Sequence, residues 1–355
     1  MHDTNLQLSK SAKITWELKH EAFKTIYKGA IVPILLYGAP VWTEAMKYAH
    51  NRLKYIRVQR FMNMVMAKAF LITSSETLCI VTRITPIIIR TEEAVKQYNI
   101  RKGKGSQTLV IDRKVEIKNW THPADVVKII EDKGFRDKTV QIYTDGSKNE
   151  HGVSSGAAIL VGKELKAQIK FKLDNRCSNN QAEQFTMAKA LESIDKINIA
   201  ENSPCTIGIF TDSRINIDSL KNVNNHCYLI EDIRKRISGL ESNKWTIEFS
   251  WVKVHVGIYG NEVADKLAKE VAFNTDTTVS FNRIPESAFY SEIEEEASQK
   301  WQEEWENFTK AAITKQFFPN LRDRVKLNIH VNPNFTATVR GHGKTRAYRH
   351  RFKIL

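Results

Sequence analysis

The stretch Thr139-Val140-Gln141-Ile142-Tyr143-Thr144-Asp145-Gly146-Ser147 decides the fold. It is an apolar run that ends on a carboxylate, Asp145, and passes at once into a glycine. The apolar run predicts a β-strand, and the glycine predicts a turn directly after it. Asp145 is therefore expected at the end of a strand, at one edge of a sheet.

Three further carboxylates stand in similar positions. Glu183 follows Asn179-Asn180-Gln181-Ala182 at the start of a predicted helix, and Asp212 ends a second apolar strand. Asp265 closes the run Gly260-Asn261-Glu262-Val263-Ala264-Asp265. Four carboxylates at the ends of elements can converge above one sheet edge and hold two divalent cations, which clamp the attacking and leaving oxygens of a phosphodiester.

Together these motifs resemble the type 1 ribonuclease H domain over residues 139 to about 275. The resemblance includes Trp251-Val252-Lys253-Val254-His255 and the glycine-containing loop that leads to Asp265. Val254 departs from the family pattern, which has a small residue before the histidine. The resemblance implies an α/β fold with a mixed five-stranded sheet and flanking helices, and an endonuclease that hydrolyses the RNA strand of RNA/DNA hybrids.

The same resemblance implies the roles of the site residues. Asp145 would bridge two Mg²⁺ ions, Glu183 and Asp212 would complete one metal site, and Asp265 would anchor the other. Mn²⁺ is the alternative ion. His255 lies on a loop, and its pKa near neutrality suits it to shuttle protons or to help release product.

Several polar residues beside these acids are candidates for binding the substrate. An amide side chain both donates and accepts, as contact with a 2′-hydroxyl requires. For Asn179 the alternative role is that of a helix N-cap. The candidates are Gly146, Ser147, Asn179, Asn180, Gln181, Ser213 and Arg214.

The positive charge of the chain is concentrated outside the predicted nuclease. The 355 residues carry a formal net charge of +14. Residues 1–138 hold 24 Lys and Arg against 13 Asp and Glu, whereas residues 139–275 hold 17 of each. Basic flanks attract a polyphosphate by releasing its counterions, so nucleic acid is the expected partner; a solvated basic surface is the alternative. Protein partners are not predicted.

Four parts follow along the chain: a helical segment over 1–100, a linker over 101–138, the nuclease over 139–275 and a helical extension with a basic tail over 276–355. A helix is predicted over 47–69, with Leu53, Ile56, Val58, Phe61, Met64 and Val65 facing inward and Arg52, Lys54, Arg57 and Arg60 facing solvent. Short helices are predicted near 87–98 and 123–133. A helix over 284–315 carries Trp301 and Trp305 as a packing stripe.

The flanks resemble the corresponding parts of non-LTR retrotransposon polyproteins, on Tyr37-Gly38-Ala39-Pro40-Val41-Trp42 and on the basic tail. The chain contains no Asp-Asp pair, so the metal-binding turn of a reverse transcriptase palm is not expected within it, nor is a Cys/His zinc knuckle after the tail. The resemblance implies a fragment from the C-terminal part of such a polyprotein.

An intracellular, soluble protein is expected. The four cysteines form no C-x-x-C pair, and the N-terminus has no basic-then-apolar signal sequence. The most apolar stretch, residues 30–42, is shorter than the roughly 20 residues that span a bilayer.

Two other functions compete with the hybrid nuclease. One is a catalytically inactive remnant of a retroelement whose basic flanks bind nucleic acid; the complete set of four acids argues against it. The other is an integrase- or resolvase-like nuclease that cuts DNA, and the run from Trp251 to Asp265 argues against that reading.

Overall fold

A computed structural model of the chain describes residues 20–103, 111–116, 125, 127–129, 138–194, 197, 206–253, 257–273 and 277–341. The chain divides into two compact units. The sheet unit comprises residues 107–289, and the helical unit comprises residues 1–106 together with 290–355. The helical unit therefore combines residues from both flanks of the nuclease sequence.

The N-terminal part of the helical unit is a series of helices broken by short turns. A π-helical turn at Tyr27–Ile31 and a 3₁₀ turn at Thr43–Lys47 connect the first of them. The helices are α1 (His20–Ile26), α2 (Val32–Leu36), α3 (Ala39–Trp42), α4 (Ala49–Ala67), α5 (Ser75–Thr82) and α6 (Ile87–Arg101). The predicted helices over 47–69 and near 87–98 correspond to α4 and α6, whereas α5 was not predicted.

The predicted inward face of α4 is wrong for Leu53, which is 48% exposed. The fully buried residues of this helix are instead Gln59, Met62, Asn63, Met66 and Ala67. Met62 and Met66 pack against the N-terminal helices in one apolar core. The side-chain amide of Gln59 donates to the hydroxyl oxygen of Tyr27 and to the carbonyl of Thr85, so hydrogen bonds satisfy this polar group in the core.

The sheet unit contains seven strands within its described residues. They are β1 (Lys128–Ile129), β2 (Val140–Asn149), β3 (Gly152–Val161), β4 (Glu164–Leu173), β5 (Thr206–Thr211), β6 (Thr246–Trp251) and β7 (Val279–Phe281). Their order in the sheet is β1-β6-β5-β2-β3-β4-β7. The five predicted strands are present as β2 to β6, and the short edge strands β1 and β7 correct the predicted count. Lys128 and Ile129 are in a strand where a helix was expected near 123–133.

The sheet is mixed, as predicted. Strands β2, β3 and β4 are antiparallel neighbours, whereas β5 runs parallel to both β2 and β6. Helices cover the sheet, and apolar side chains from β2, β3, β5 and β6 pack with them in the main core. The helices of this core are α7 (Asn179–Ser193), α8 (Arg214–Lys221) and α9 (Tyr228–Ser242). Helix α10 (Tyr259–Phe273) packs with Tyr143, Ala158 and Phe210 in a separate cluster.

The C-terminal helices complete the helical unit. They are α11 (Glu286–Asn307), most of which belongs to this unit, α12 (Ala312–Phe317), α13 (Leu321–Lys326) and α14 (Pro333–Val339). The single predicted helix over 284–315 is therefore wrong in its length: it ends at Asn307, and Ala311 adopts a left-handed φ of 82° before α12. Trp301 and Trp305 are buried against Cys79 and Ile80, which confirms that they pack in a core.

Among the described residues, no single helix has both the length and the apolar character needed to cross a membrane. The bent pair formed by His20–Leu36 and Ala39–Lys47 meets that test of length and composition when the two are taken together.

Candidate active site

Parallel pairing of β2 with β5 brings Asp145 and Asp212 to the same edge of the sheet. The last paired residues of the two strands are Thr144 and Thr211, and each is followed by the aspartate. The carboxyl ends of parallel strands meet at one edge, so both carboxylates lie there. The indole N–H of Trp251, at the end of β6, donates to the backbone carbonyl of Asp212 at 2.9 Å and holds this strand end in place.

Helix α7 places Glu183 beside these two aspartates. The helix begins with a capping box, in which Ser178 and Gln181 each accept a hydrogen bond from the other's backbone N–H. Glu183 follows one turn later and is 3% exposed. Its Oε1 accepts from Asn179 at 2.9 Å, and its Oε2 accepts from Asn216 of α8 at 2.7 Å.

The carboxylates of Asp145, Glu183 and Asp212 form one cluster, in which a ligand oxygen from each lies within 4.8 Å of the others. Burial, together with the neighbouring charges of Asp212 and Asp265, raises the pKa of Asp145 to about 7. Burial and the charges of Asp212 and Asp145 raise the pKa of Glu183 to about 8, against the opposing effect of the hydrogen bond from Asn216. Because these carboxylates are buried and close to one another, their ionised forms are costly. Carboxyl groups with strongly raised pKa values are typical of a functional site.

Asp265 approaches the cluster from α10, whose path depends on two glycines. A Cβ on Gly156, which pairs with Asp145 across the sheet, would lie 2.5 Å from the carbonyl oxygen of Ala264. A Cβ on Gly260 would overlap the ring of Tyr143. Because neither glycine carries a Cβ, α10 lies close enough for the charge of Asp265 to raise the pKa of Asp145.

Asp265 also has a basic partner on its own helix. The Lys269 ammonium lies 2.7 Å from its carboxylate, one turn further along α10. Asp265 is not part of the three-carboxylate cluster defined by the 4.8 Å spacing. The structure thus brings three of the predicted ligands together and places the fourth, Asp265, near Asp145.

Some of the predicted substrate-binding residues form hydrogen bonds within the protein, and others are accessible to solvent. Gln181 is 5% exposed, and its side-chain amide donates to Asp112 and to the Arg283 carbonyl. Its contact with a substrate stays a prediction. The N-cap of α7 is Ser178 and not Asn179, whose side chain donates to Glu183. Asn180 is partly exposed.

The remaining candidates lie close to the cluster. A Cβ on Gly146 would lie 2.8 Å from Cγ of Glu183, so the glycine makes room for that side chain. Ser147 is partly exposed on β2, two residues beyond Asp145. Ser213 caps α8 by accepting from the backbone N–H of Asn216, and the exposed Arg214 lies with its guanidinium 4.8 Å from the Trp251 ring centroid. His255 lies outside the described residues.

Sequence reasoning missed Asn216 and Gln184. Asn216 is fully buried, and its Oδ1 accepts from the side-chain amide of Gln184 at 2.8 Å while its own amide donates to Glu183. The available signal was a polar residue on the inner face of α8, three residues after the Ser213 cap, where an apolar residue would be expected in a buried helix face.

The composition of the site fits a divalent cation. Its donors are carboxylate oxygens, which hard cations such as Mg²⁺ prefer. Burial and neighbouring carboxylates raise the pKa of both Asp145 and Glu183, and a nearby positive charge would offset both effects.

Known proteins resemble the sheet unit in sequence. The family model described as RNase H matches residues 137–273. A ribonuclease H of Campylobacter jejuni is 31% identical over 147 residues, which cover 38% of this chain and 92% of that protein.

A retrovirus-related Pol polyprotein from type-1 retrotransposable element R1 4 of Nasonia vitripennis is 32% identical over 111 residues, or 31% of this chain. The match spans 28% of the length of that polyprotein. Among solved structures, RNase H1 from the archaeon Halobacterium salinarum NRC-1 aligns with 37% of this chain and 95% of its own, at 23% identity and a TM-score of 0.28.

Proposed function

Because the chain belongs to the ribonuclease H family, we propose that it is an endonuclease that hydrolyses the RNA strand of RNA/DNA hybrids with two Mg²⁺ ions. The observation that carries this proposal is the convergence of Asp145, Glu183 and Asp212, with the charge of Asp265 near Asp145. The match to a retrotransposon Pol polyprotein supports a retroelement-type protein.

Four carboxylates would hold the metal ions. The charges of both Asp212 and Asp265 raise the pKa of Asp145, which supports a role for Asp145 as a ligand to both ions. Glu183 and Asp212 would complete one site and Asp265 the other. When bound, the metal ions supply a more acidic water and neutralise charge on the leaving oxygen. Mn²⁺ offers the same charge and is the alternative ion.

The protein's own residues prepare this site. Asn179 and Asn216 hold both oxygens of Glu183, so its carboxylate keeps one orientation. Asn180, Ser147 and Arg214 are partly or fully exposed around the cluster and would contact the substrate. His255 would move a proton or help product to leave, as its sequence motif and the near-neutral pKa of histidine imply.

The direct test is cleavage of an end-labelled RNA/DNA hybrid by the full chain, beside duplex DNA and duplex RNA, with Mg²⁺ or with EDTA. We expect cleavage of the RNA strand of the hybrid alone, and only with the metal ion. Asp145→Asn should abolish it, whereas Asp218→Asn, the same change at an exposed carboxylate on α8, should leave it intact. Cleavage of duplex DNA, or full activity of Asp145→Asn, would contradict the proposal.

A further inference from the structure

The start of helix α7 is supported by two short segments that lie outside the part of the chain matched by the RNase H family model. They are residues 111–112 and 281–284, one before and one after that match, and both belong to the sheet unit. The first turn of α7 carries Asn180, which is partly exposed, and Asn179, which donates to Glu183. The two segments therefore support the turn that carries predicted substrate-binding residues.

The segment 281–284 lies against the start of α7. The backbone carbonyl of Arg283 accepts from the side-chain amide of Gln181 at 3.2 Å and from the thiol of Cys177 at 3.6 Å. Cys177 directly precedes the Ser178 cap, whereas Gln181 belongs to the first turn of the helix. One carbonyl thus holds both the approach to the helix and its first turn.

Asp112 completes the support from the other flank. Its Oδ2 accepts from the side-chain amide of Gln181 at 2.8 Å, and its backbone N–H donates to the carbonyl of Ile284 at 2.8 Å. Ile111 pairs with Ile284 in a parallel bridge. Asp112 is therefore joined to α7 by its side chain and to the segment 281–284 by its backbone.

The hydrogen bonds of Gln181 engage both polar atoms of its side chain. The amide nitrogen donates to Asp112 and to the Arg283 carbonyl, and Oε1 accepts from the backbone N–H of Ser178. This last bond is half of the capping box that begins α7. The position of the first turn therefore depends on Asp112 through Gln181.

The surroundings of Asp112 favour a neutral side chain. Burial raises the pKa of its carboxyl, and this effect exceeds the lowering by the hydrogen bond from Gln181 and by the charge of Arg283. Asparagine offers the same acceptor oxygen without a buried charge. Asp112→Asn is therefore a variant that keeps the hydrogen bond to Gln181.

We propose that Asp112 is a positioning residue for the RNA/DNA hybrid: through Gln181 it fixes the first turn of α7, which presents Asn180 to the substrate. This inference rests on the proposed nuclease function, because Asn180 is a predicted contact with that substrate. It assigns a determinant of substrate binding to the segment that precedes the family match. Asp112 acts through Gln181 and not by touching the substrate.

The test measures steady-state cleavage of an end-labelled RNA/DNA hybrid by the full chain with Mg²⁺. Asp112→Ala should raise KM about 5- to 10-fold, the scale of one hydrogen bond. Its kcat should stay within about two-fold of the wild type, because Glu183 keeps the hydrogen bond from Asn216. A variant that was merely less stable would contain fewer active molecules, and would lower kcat at unchanged KM.

Three variants serve as controls. Asp112→Asn should keep KM within about two-fold, because its carbonyl oxygen accepts from Gln181 as the carboxylate does. Asp125→Ala removes an exposed carboxylate from the same flank and should leave KM unchanged. Gln181→Met combined with Asp112→Ala should raise KM no further than Gln181→Met alone, because the two side chains act through one contact.

Two further measurements do not depend on cleavage. Binding of a fluorescent hybrid in EDTA, followed by anisotropy, should weaken in Asp112→Ala by a similar factor. Backbone amide hydrogen exchange over residues 181–183 should quicken in Asp112→Ala and not in Asp125→Ala, since fewer contacts hold the first turn. If the wild type binds the hybrid but does not cleave it, the nuclease proposal fails, and these two measurements still decide the role of Asp112.

Several results would overturn the positioning role. These are unchanged KM and hydrogen exchange in Asp112→Ala, and an equal rise of KM in Asp112→Asn. Additive effects of Asp112→Ala and Gln181→Met would show that the two side chains act separately. A fall in kcat alone would assign Asp112 to the stability of the fold, and a wild type that does not bind the hybrid would overturn both proposals.

Discussion

Glu183 shows how single contacts decide the behaviour of the site. A buried carboxylate is costly unless hydrogen bonds or opposite charge compensate it. Here each carboxylate oxygen accepts from a side-chain amide, of Asn179 on one side and of Asn216 on the other. Gln184 in turn fixes the amide of Asn216, so the orientation of Glu183 depends on a short chain of neutral polar groups.

Replacing Asn216 by leucine should test how much the orientation of Glu183 matters, since Glu183 itself stays in place as a metal ligand. Leucine keeps the branching and the number of heavy atoms of the asparagine side chain but removes the donor to Glu183 and the acceptor for Gln184, which costs about 1–3 kcal/mol of stability through unsatisfied buried groups. We expect cleavage to slow by about 10–100-fold, the range seen when an outer-shell partner is lost, with weaker Mg²⁺ binding in calorimetry. The matched variant Asn224→Leu, at an exposed turn, should do neither. Normal Mg²⁺ affinity in Asn216→Leu would show that Asn216 does not position Glu183 for metal binding.

His255→Ala tests the role that the sequence motif assigns to the histidine. General acid–base assistance contributes typically about 10²–10⁴-fold, so turnover should slow by that factor without disappearing. Mg²⁺ binding, measured by calorimetry, should persist because the four carboxylates remain. Loss of metal binding in this variant would identify His255 as a ligand and not as a proton carrier.

The sequence predicts the four carboxylates because each lies in a recognisable motif. The structure groups Asp145, Glu183 and Asp212 and places Asp265 near Asp145. Their catalytic roles stay a prediction. The capping role of Gln181 and the support from Asn216 were beyond sequence reasoning, since each depends on partners far along the chain: Asp112 for Gln181 and Glu183 for Asn216.

At the scale of elements, the distance between α10 and β3 governs where Asp265 lies. A Cβ at Gly156 would come within 2.8 Å of the backbone nitrogen of Ala268 and 2.5 Å of the Ala264 oxygen. No rotamer change relieves contact with backbone, so the whole helix must shift.

Gly156→Ala should therefore lower stability by about 1–3 kcal/mol, as overpacking does, and should slow cleavage by moving Asp265 away from Asp145. Thermal denaturation and hybrid cleavage measure the two effects. Gly239→Ala is the matched control, because Gly239 is an exposed residue of α9 and nothing lies within 4 Å of its Cβ position. That change should stabilise the protein by about 0.5–1 kcal/mol. Wild-type activity in Gly156→Ala would show that Asp265 tolerates a displaced helix.

The long elements of the sheet unit were predictable, because strands β2 to β6 and helices α7 to α10 each carry a sustained apolar pattern. The edge strands β1 and β7 have only two and three residues, too few for any periodicity to register. The inward face of α4 was misassigned at Leu53 because polar Gln59 and Asn63 occupy its core side, held by contacts that the local sequence does not contain.

At the scale of the whole molecule, the acid cluster ties folding to pH and to metal ions. Asp145 and Glu183 have pKa values of about 7 and about 8 in the folded state, above the ordinary values of carboxyl groups near 4. The metal-free folded state thus binds more protons than the unfolded state between about pH 4 and pH 8. Stability from these groups is present at acid pH and is lost as pH rises through the folded values.

We therefore expect the melting temperature in EDTA to fall between pH 5.5 and pH 8.5, by about 2–4 °C for each kcal/mol lost. Mg²⁺ should raise it, and more so at pH 8.5, where the carboxylates are ionised. Asp145→Asn should flatten the pH dependence, whereas Asp218→Asn should not. Differential scanning fluorimetry provides the measurement. An equal effect of Mg²⁺ at both pH values, in all three proteins, would place its binding elsewhere.

The make-up of the helical unit was the least predictable part of the fold. Trp301 and Trp305 bury themselves against Cys79 and Ile80, more than 200 positions away. Amphipathic patterns reveal that each helix needs a partner, but they do not identify it. The sequence therefore indicated the helices of both flanks without showing that they share one core.

The 2.7 Å ion pair between Asp265 and Lys269 bears on which cations can bind beside the acidic cluster. Because the Lys269 ammonium already pairs with Asp265, a cation that binds Asp265 must displace this ammonium. The tether holds this competitor at a fixed local concentration, whatever the composition of the solution. Sodium or potassium, with a single charge, gains little by replacing it, whereas a divalent ion gains about twice the Coulomb attraction at equal distance. We therefore expect Lys269 to disfavour the binding of monovalent ions at Asp265 more than that of divalent ions.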